Sequence, residues 1–236
     1  MIGFIVAHKS ETINVEKSIK VVKRSNVNGF DVVVFDVLNE CCALVYSGVG
    51  KVNAAAATQT LIDFFKVDTV INVGSCGGVN KKIDVMDIII PKEVSYYDVD
   101  VTAFKYKPNQ VPHEPETFEA NTKLLEKIVA IMKPYKFNIY HGKCVTGEVF
   151  ITKGNFAKFE ISKDVLAVDM EACAVAQVCN KNDVKFVIIK MLTDSIYAKH
   201  DNHIDWDANV KTIAITLTKA ICDIAYNLVY QNQKHK

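Results

Sequence analysis

Short apolar runs alternate with segments of helical length along almost the whole chain, and this alternation limits the possible folds more than any other feature. The first run, 2–7, is continuously apolar, as in a strand buried on both faces of a sheet. Similar runs occur at 31–36, 42–46, 68–73, 87–90, 139–145, 165–168 and 185–192. This alternation predicts an α/β fold with a largely parallel sheet covered on both faces. No shift in composition divides residues 1–236, so one domain is expected.

Helices are predicted between these strands. The helical patterns cover 51–65, 118–132, 172–179 and a final segment from about 206 to 230. Ser10 or Thr12 is also placed to begin a helix, with Glu16 following in register. The glycine-rich stretch 74–78 is expected to be a tight turn in which the backbone comes close to another group.

Charge and cysteine content exclude several classes of protein. The net charge is +1, which gives no reason to expect a nucleic-acid or membrane partner. The seven cysteines are odd in number and contain no C-x-x-C pair, so reduced thiols in a cytoplasmic protein are expected. The apolar run at 2–7 has no basic residues before it, which favours a first strand over a signal peptide.

Two acids, Asp169 and Glu171, stand where a buried strand gives way to a helix. Such junctions are where ligands bind in open α/β sheets. We expect Glu171 in the first helical turn, where the helix dipole favours an ionised carboxylate. An ionised carboxylate can accept two hydrogen bonds, for example from neighbouring ribose hydroxyls. The alternative is that both acids only cap the helix.

Glu11 and Asp194 also follow the carboxyl ends of predicted buried strands. Because these ends share one edge in a parallel sheet, Glu11, Glu171 and Asp194 are expected to converge. The glycine stretch and the aromatic Phe150 are available to complete such a site. The sequence therefore predicts one small-molecule binding site that contains three carboxylates.

Other candidate motifs are incomplete. Gly48 and Gly50 open a helix, but Asn53 occupies the third glycine position of a dinucleotide motif, and Lys51 lacks the flanking residues of a P-loop. The pair His200 and His203 has no third metal ligand beside it, so a solvated loop is expected there. None of these motifs therefore predicts a metal or dinucleotide site.

Several segments, in the same order, resemble the purine nucleoside phosphorylase/uridine phosphorylase superfamily and, within it, the 5′-methylthioadenosine/S-adenosylhomocysteine nucleosidases. They are 47–55, 72–78, 98–104, 168–172 and 193–194, and the resemblance extends from residue 2 to about 230. It implies a nucleoside phosphorylase-like, single-domain, three-layer α/β/α fold with a mixed, partly barrel-like sheet. It also implies a homodimer that cleaves the N-glycosidic bond of an adenine nucleoside with water, without a cofactor.

The resemblance assigns a role to each carboxylate. Asp194 matches the acid near adenine N7, which needs a raised pKa to hold a proton. Glu171 matches the carboxylate that binds the ribose hydroxyls and offsets the charge of the oxocarbenium-like sugar. Glu11 matches the residue that positions and deprotonates the attacking water.

The remaining candidate residues are expected around the substrate. Phe150 and Ile151 match the base contacts, and Val101, Phe104 and Pro112 match positions supplied by the partner subunit. The other expected substrate-binding residues are His8, Val49, Ser75, Cys76, Gly77, Asp169, Met170, Thr193 and Trp206.

Three alternatives remain open. The first is a phosphorylase, but Asn72 and the 8–11 loop stand where phosphorylases place phosphate-binding arginines, although Cys76 resembles that branch. The second is an adenine nucleosidase with another 5′ specificity, because His8 replaces an apolar residue and the segment from Tyr197 to Trp206 departs from the usual pattern. The third is a non-catalytic nucleoside-binding protein, which would not need Glu11 or Asp194.

Overall fold

The strands of the computed structural model, which describes residues 1–199 and 202–234, belong to one sheet. In chain order they are β1 (Ile2–Val6), β2 (Lys20–Val27), β3 (Phe30–Val37), β4 (Glu40–Tyr46), β5 (Thr69–Gly78), β6 (Ile88–Ile89), β7 (Glu93–Tyr96), β8 (Phe118–Glu119), β9 (Ile139–Tyr140), β10 (Lys143–Thr146), β11 (Val165–Asp169) and β12 (Lys185–Ser195).

Helices flank this sheet. They are α1 (Val15–Ser18), α2 (Lys51–Phe65), α3 (Thr122–Met132), α4 (Ala172–Lys181) and α5 (Asn202–Lys234), with single 3₁₀ turns at Lys9–Glu11, Thr102–Phe104 and Phe156–Lys158. The alanine-rich α2 packs against α4, and small side chains on both helices allow the close approach. Together with the comparisons below, this confirms the α/β fold and the mixed sheet that the resemblance implies.

The sheet branches at β5. One edge of β5 pairs in parallel with β12 along its whole length. The other edge pairs first with β1, at 69–72, and then in antiparallel orientation with β11, at Gly77 and Gly78. Residues 73–76 therefore have no strand partner on this edge, and a gap opens there between the end of β1 and β11.

The core is apolar and continuous from β1 to α5. Phe4, Ile71 and Ile188 are fully buried in the central strands, and Ile213 and Ile221 of α5 pack onto the same cluster. Helix α5 is long and apolar enough to cross a membrane by length and composition alone, but more than half of its most apolar window is buried in this domain. The helix thus serves as a core element here.

The structure differs from several sequence predictions. The sheet is more mixed than the alternation alone predicts, with six parallel and five antiparallel pairings in the described residues. The glycine stretch continues β5 instead of forming a turn, because β12 and β11 pair with it. Segment 118–132 divides into β8 and α3, and 139–145 divides into β9 and β10. The helix expected from Ser10 or Thr12 is a 3₁₀ turn followed by the four-residue α1.

Candidate active site

A cavity of about 280 Å³ lies in the gap beside β5, at the carboxyl ends of β1, β11 and β12. This is the edge at which ligands bind in open α/β sheets. Its volume is close to the lower end of the roughly 300–1,000 Å³ typical of small-molecule sites.

Glu11 is held by three donors. Its Oε1 accepts hydrogen bonds from the backbone N–H and the Oγ of Ser75, both at 2.6 Å, and its Oε2 accepts from the backbone N–H of His8 at 3.0 Å. The Ser75 N–H is free for this bond because 73–76 lack a strand partner on that edge. The carboxylate is buried, yet it lines the cavity. It is thus fixed in orientation, with acceptor capacity left on Oε2.

Glu171 precedes the first helical turn instead of lying within it. It is the N-cap residue of α4, but its side chain makes no capping bond. Its Oε1 accepts from the backbone N–H of Gly50 at 3.0 Å, just before α2 begins, and its Oε2 lies 3.4 Å from Nζ of Lys190. Burial raises the pKa of Glu171 above its ordinary value, and the ammonium of Lys190 opposes this rise.

Asp169 does cap the helix, as the alternative interpretation proposed. Its Oδ2 accepts from the backbone N–H of Ala172 at 2.9 Å and pairs with Nζ of Lys190 at 2.8 Å. Its Oδ1 accepts from the hydroxyl of Thr146 at 2.5 Å. The two acids therefore differ in their contacts: Asp169 has three protein partners, and Glu171 has two and keeps an acceptor site on each oxygen.

Lys190 is a fully buried cation among three acids. Burial alone would lower its pKa, but the carboxylates of Asp169, Glu171 and Glu11 outweigh burial and raise it. A buried charge is tolerated only when it is paired and hydrogen-bonded. Lys190 thus offsets part of the repulsion between these carboxylates.

Asp194 lines the cavity from the carboxyl end of β12. Its Oδ1 is 2.9 Å from the hydroxyl of Thr193, and its Oδ2 accepts from the side-chain amide of Asn202 at 2.7 Å. Burial raises the pKa of Asp194 to about 6, although both hydrogen bonds oppose the shift. At pH 7 roughly one carboxyl in ten then holds a proton, which is enough for an acid that is continually re-protonated.

Apolar side chains form the mouth of the cavity. Phe150 and Val49 are 41% and 49% exposed, and Trp206 of α5 donates from Nε1 to Oγ of Ser75 at 3.4 Å. The loop that contains Phe150 is fixed at its backbone, since the hydroxyl of Tyr97 donates to the carbonyl of Val149 and the amide of Asn155 donates to that of Phe150. A flat aromatic base can stack on the partly exposed ring of Phe150 here.

The structure brings all fourteen residues predicted within one subunit to this cavity. They are His8, Glu11, Val49, Ser75, Cys76, Gly77, Phe150, Ile151, Asp169, Met170, Glu171, Thr193, Asp194 and Trp206, and Ala7, Val149 and Val168 complete the lining. The three residues predicted to come from a partner subunit, Val101, Phe104 and Pro112, do not line it. Their place at a second subunit's site stays a prediction.

Sequence reasoning missed Lys190 and Asn202. Lys190 had a usable signal, since it interrupts the apolar run at 185–192 and a charge inside a buried strand requires partners. Asn202 had no such signal, because its contact with Asp194 depends on how α5 begins. Of the histidine pair, His200 lies outside the described residues, and His203 is exposed in the first turn of α5, not in a loop.

The class of protein follows from a comparison with known families. A family model described as the phosphorylase superfamily matches residues 2–225. The chain therefore belongs to the phosphorylase superfamily.

Within this superfamily, the chain is similar to two enzymes that have the same name. It is 34% identical over 239 residues to the 5′-methylthioadenosine/S-adenosylhomocysteine nucleosidase of Bacillus pumilus, covering 98% of this chain and 99% of that one. It is 32% identical over 230 residues to the enzyme of the same name from Buchnera aphidicola, covering 97% and 98%.

A solved structure gives the same result. The nucleosidase of that name from Neisseria meningitidis, in complex with methylthio-immucillin-A, superimposes with a TM-score of 0.84 and 31% identity, covering 95% of this chain and 98% of that one.

Proposed function

We propose that this protein hydrolyses the N-glycosidic bond of 5′-methylthioadenosine and S-adenosylhomocysteine, releasing adenine and the 5-thioribose product. The observation that carries the proposal is the meeting of Glu11, Glu171 and Asp194 in one cavity. Among the residues that the structure describes, none of those lining this cavity is an arginine or a lysine. The activity named for the relatives supports the same reaction.

Asp194 is the proposed general acid. Adenine leaves more readily when a proton is delivered to it as the bond between C1′ and N9 breaks. The raised pKa of Asp194, about 6, lets it hold and give this proton near neutral pH. Phe150 and Ile151, in the loop beside it, are proposed to contact the base.

Glu171 is the proposed partner of the ribose. As the bond breaks, positive charge develops on the sugar, and a fixed carboxylate stabilises it best because it needs no reorientation. Gly50 and Lys190 already hold both carboxylate oxygens, and each oxygen keeps a lone pair for a sugar hydroxyl. Met170 and Thr193 complete the surroundings of the sugar.

Glu11 is the proposed base. It accepts a proton from a water molecule whose oxygen forms the new bond to C1′, so the proton lost by water goes to Glu11 and the proton given to adenine comes from Asp194. The Trp206–Ser75–Glu11 hydrogen-bond chain orients this carboxylate. His8 and Val49 also line the cavity, and the 5′ substituent is proposed to bind beside them.

A phosphorylase is the alternative, and Cys76 is the feature that favours it. A phosphate dianion needs cationic donors, and arginine supplies them best. The one arginine of the sequence, Arg24, lies on β2 and pairs with Glu16, and Asn72 is buried in the sheet. The acids that line the cavity would repel phosphate.

We further propose a cytoplasmic homodimer that acts in nucleoside catabolism and methionine salvage. Phe104 is 76% exposed and Val52 is 79% exposed, and contact with a second copy would remove such apolar surface from water. A second copy would cover Phe104, Val101 and Pro112 and close the 5′ end of its partner's cavity. The seven free cysteines suit a reducing compartment.

Adenine release from methylthioadenosine tests the reaction, with phosphate removed and then added back. We expect release without phosphate, and a loss of at least about 100-fold in kcat for both Glu11→Gln and Asp194→Asn. Glu16→Gln, which changes an exposed acid in the pair with Arg24, is the matched control and should leave release unchanged. A strict requirement for phosphate, or full activity of both site variants, would refute the proposal.

A further inference from the structure

Asn202 contacts the Asp194 carboxyl group from outside the cavity. Its side chain is 2% exposed and does not belong to the cavity lining. It bridges two elements: its Nδ2 lies 2.7 Å from Oδ2 of Asp194, and its Oδ1 lies 3.0 Å from the backbone N of Lys153. Asn202 therefore joins the end of β12 to the loop that contains Phe150 and Ile151.

The orientation of the Asn202 amide is determined by its partners. The backbone N–H of Lys153 can only donate, so the amide oxygen must face Lys153. The amide NH₂ must then face Asp194, and it too can only donate. Oδ2 of Asp194 therefore accepts from this amide in every protonation state. The amide offers no acceptor to a proton on Oδ2, whereas the hydroxyl of Thr193 offers one to a proton on Oδ1, so this arrangement favours Oδ1 as the protonated oxygen.

Thr193 can adapt to either state of Oδ1. Its hydroxyl has one hydrogen and lies 2.9 Å from Oδ1 of Asp194 and 3.3 Å from the carbonyl of Cys76. It can donate to Oδ1 when Asp194 is ionised. When Oδ1 holds a proton, the hydroxyl can donate to Cys76 instead. Rotation of one hydroxyl thus accommodates both states without moving the backbone.

We propose that Asn202 is a positioning residue for the acid step. It fixes Oδ2 as an acceptor, favours Oδ1 as the oxygen that carries the transferable proton, and ties the acid to the loop that is proposed to bind the base. This inference rests on the proposed role of Asp194 as the acid.

Asn202 also influences how readily Asp194 ionises. Burial raises the pKa of Asp194, and Asp205 of α5 adds to this rise, whereas the hydrogen bonds from Asn202 and Thr193 lower it. The thiol of Cys76, on β5, has a pKa raised by burial and stays neutral. Loss of the Asn202 amide should therefore strengthen retention of the proton on Asp194.

Two variants separate the contacts of Asn202. Asn202→Asp keeps an acceptor for the N–H of Lys153 but sets a carboxyl group against Asp194, and Asn202→Ala removes both contacts. Asn209→Ala is the matched control, because Asn209 lies on the same helix and donates to the backbone carbonyl of Thr193 at 2.8 Å, not to the carboxyl group.

The measurement is kcat and kcat/KM for adenine release between pH 5 and 9. In the wild type, kcat/KM should fall at alkaline pH as Asp194 loses its proton, and we expect this fall to occur at higher pH in both Asn202 variants. The shift should be about one pH unit or more in Asn202→Asp, because two carboxyl groups then share a site. We expect kcat to fall at least about tenfold, a part of the roughly 10²–10⁴-fold that a positioned acid supplies. In Asn209→Ala, the alkaline fall of kcat/KM should stay at the wild-type pH.

The inference would be overturned if kcat/KM falls at the same alkaline pH in both Asn202 variants as in the wild type. It would also be overturned if Asn209→Ala shifts this fall by as much as the Asn202 variants do. Should Asn202→Ala fail to fold, the isosteric Asn202→Asp still decides the question. Asp194→Asn, measured in parallel, tests the assumption that Asp194 is the acid. If this variant keeps wild-type turnover, the proposed acid is wrong. If it is inactive while the pH profiles of the Asn202 variants match the wild type, only the positioning role of Asn202 is wrong.

Discussion

At the scale of single residues, the acids of this site are distinguished by their donors. Glu11 has three hydrogen-bond donors, Glu171 has one amide and a shared ammonium, and Asp194 has a hydroxyl and an amide. Within residues 1–199 and 202–234, the groups that contact Asp194 do not include a cation, and its pKa is raised by burial. Position along the chain cannot explain the difference, since each acid lies at or beyond the carboxyl end of a strand.

Asp194 should make the free energy of unfolding depend on pH. Its pKa is about 6 in the folded protein against an ordinary value of 3.8, so between these pH values the folded state holds a proton that the unfolded state has lost. The free energy of unfolding therefore falls as pH rises from about 4 to 6, by about 2–3 kcal/mol from this group.

Asp194→Asn removes this titration. The amide oxygen can accept from Asn202 while the amide NH₂ faces the hydroxyl of Thr193, so the variant imitates the protonated acid. We expect urea unfolding to show Asp194→Asn gaining stability relative to the wild type as pH rises from 4 to 7. A constant difference across this range would contradict a raised pKa.

Sequence reasoning worked well for residues whose chemistry and position at a strand end were both visible. Glu11, Glu171 and Asp194 could be placed together because strand ends share an edge, and the structure brings them to one cavity. It could not separate Asp169 from Glu171, because which acid caps α4 depends on side-chain geometry. The roles of these residues stay a prediction until variants are measured.

At the scale of elements, β5 determines where the site can form. The gap at 73–76 leaves the N–H of Ser75 available to Glu11, and the absence of a side chain at Gly74 leaves room for that carboxylate. The sequence showed the glycines but suggested a turn, because pairing with β11 and β12 involves residues about 90 to 120 positions away. Local propensity contains no information about such partners.

Gly74→Ala should impair catalysis more than stability. A Cβ atom there would lie 3.0 Å from Oε1 of Glu11 and 3.3 Å from Nζ of Lys190, so these groups must move by a few tenths of an ångström. Since a displacement of about 1 Å can lower a rate about 100-fold, we expect kcat to fall between about 10- and 100-fold.

The matched control is Gly154→Ala, where the nearest atom to a new Cβ is 3.8 Å away and no strain is introduced. It should retain wild-type kcat. Equal turnover of the two alanine variants would show that Glu11 tolerates displacement, and melting temperatures would show whether either change acts through folding.

At the scale of the whole molecule, exposed apolar side chains bear on the proposed assembly of two copies. The cavity mouth is apolar and partly exposed at Val49 and Phe150, and Phe104 is exposed on its own 3₁₀ turn. No pattern in the sequence reveals an interface, because exposed apolar residues are identified only once the fold is known. The homodimer therefore depends on the resemblance and on these exposed side chains.

Phe104→Ser tests this assembly. If Phe104 closes the partner's 5′ end, KM for methylthioadenosine should rise about tenfold, equivalent to about 1.4 kcal/mol, with a smaller change in kcat. Val22→Ser, at a residue 57% exposed on β2, is the control for loss of an exposed apolar group. A wild-type protein that sediments as a monomer, or an unchanged KM, would contradict the dimer.

The branching of the sheet at β5 also has a consequence for folding. Glu11 follows β1, Glu171 follows β11 and Asp194 lies at the end of β12, so a loop of more than 100 residues must close before Glu11 meets the other two acids. The stability of the entire sheet, and not that of one local segment, therefore keeps these acids together against their mutual repulsion. The arrangement of these acids therefore depends on long-range contacts, and a chain in which β5 has not paired with β11 and β12 lacks it.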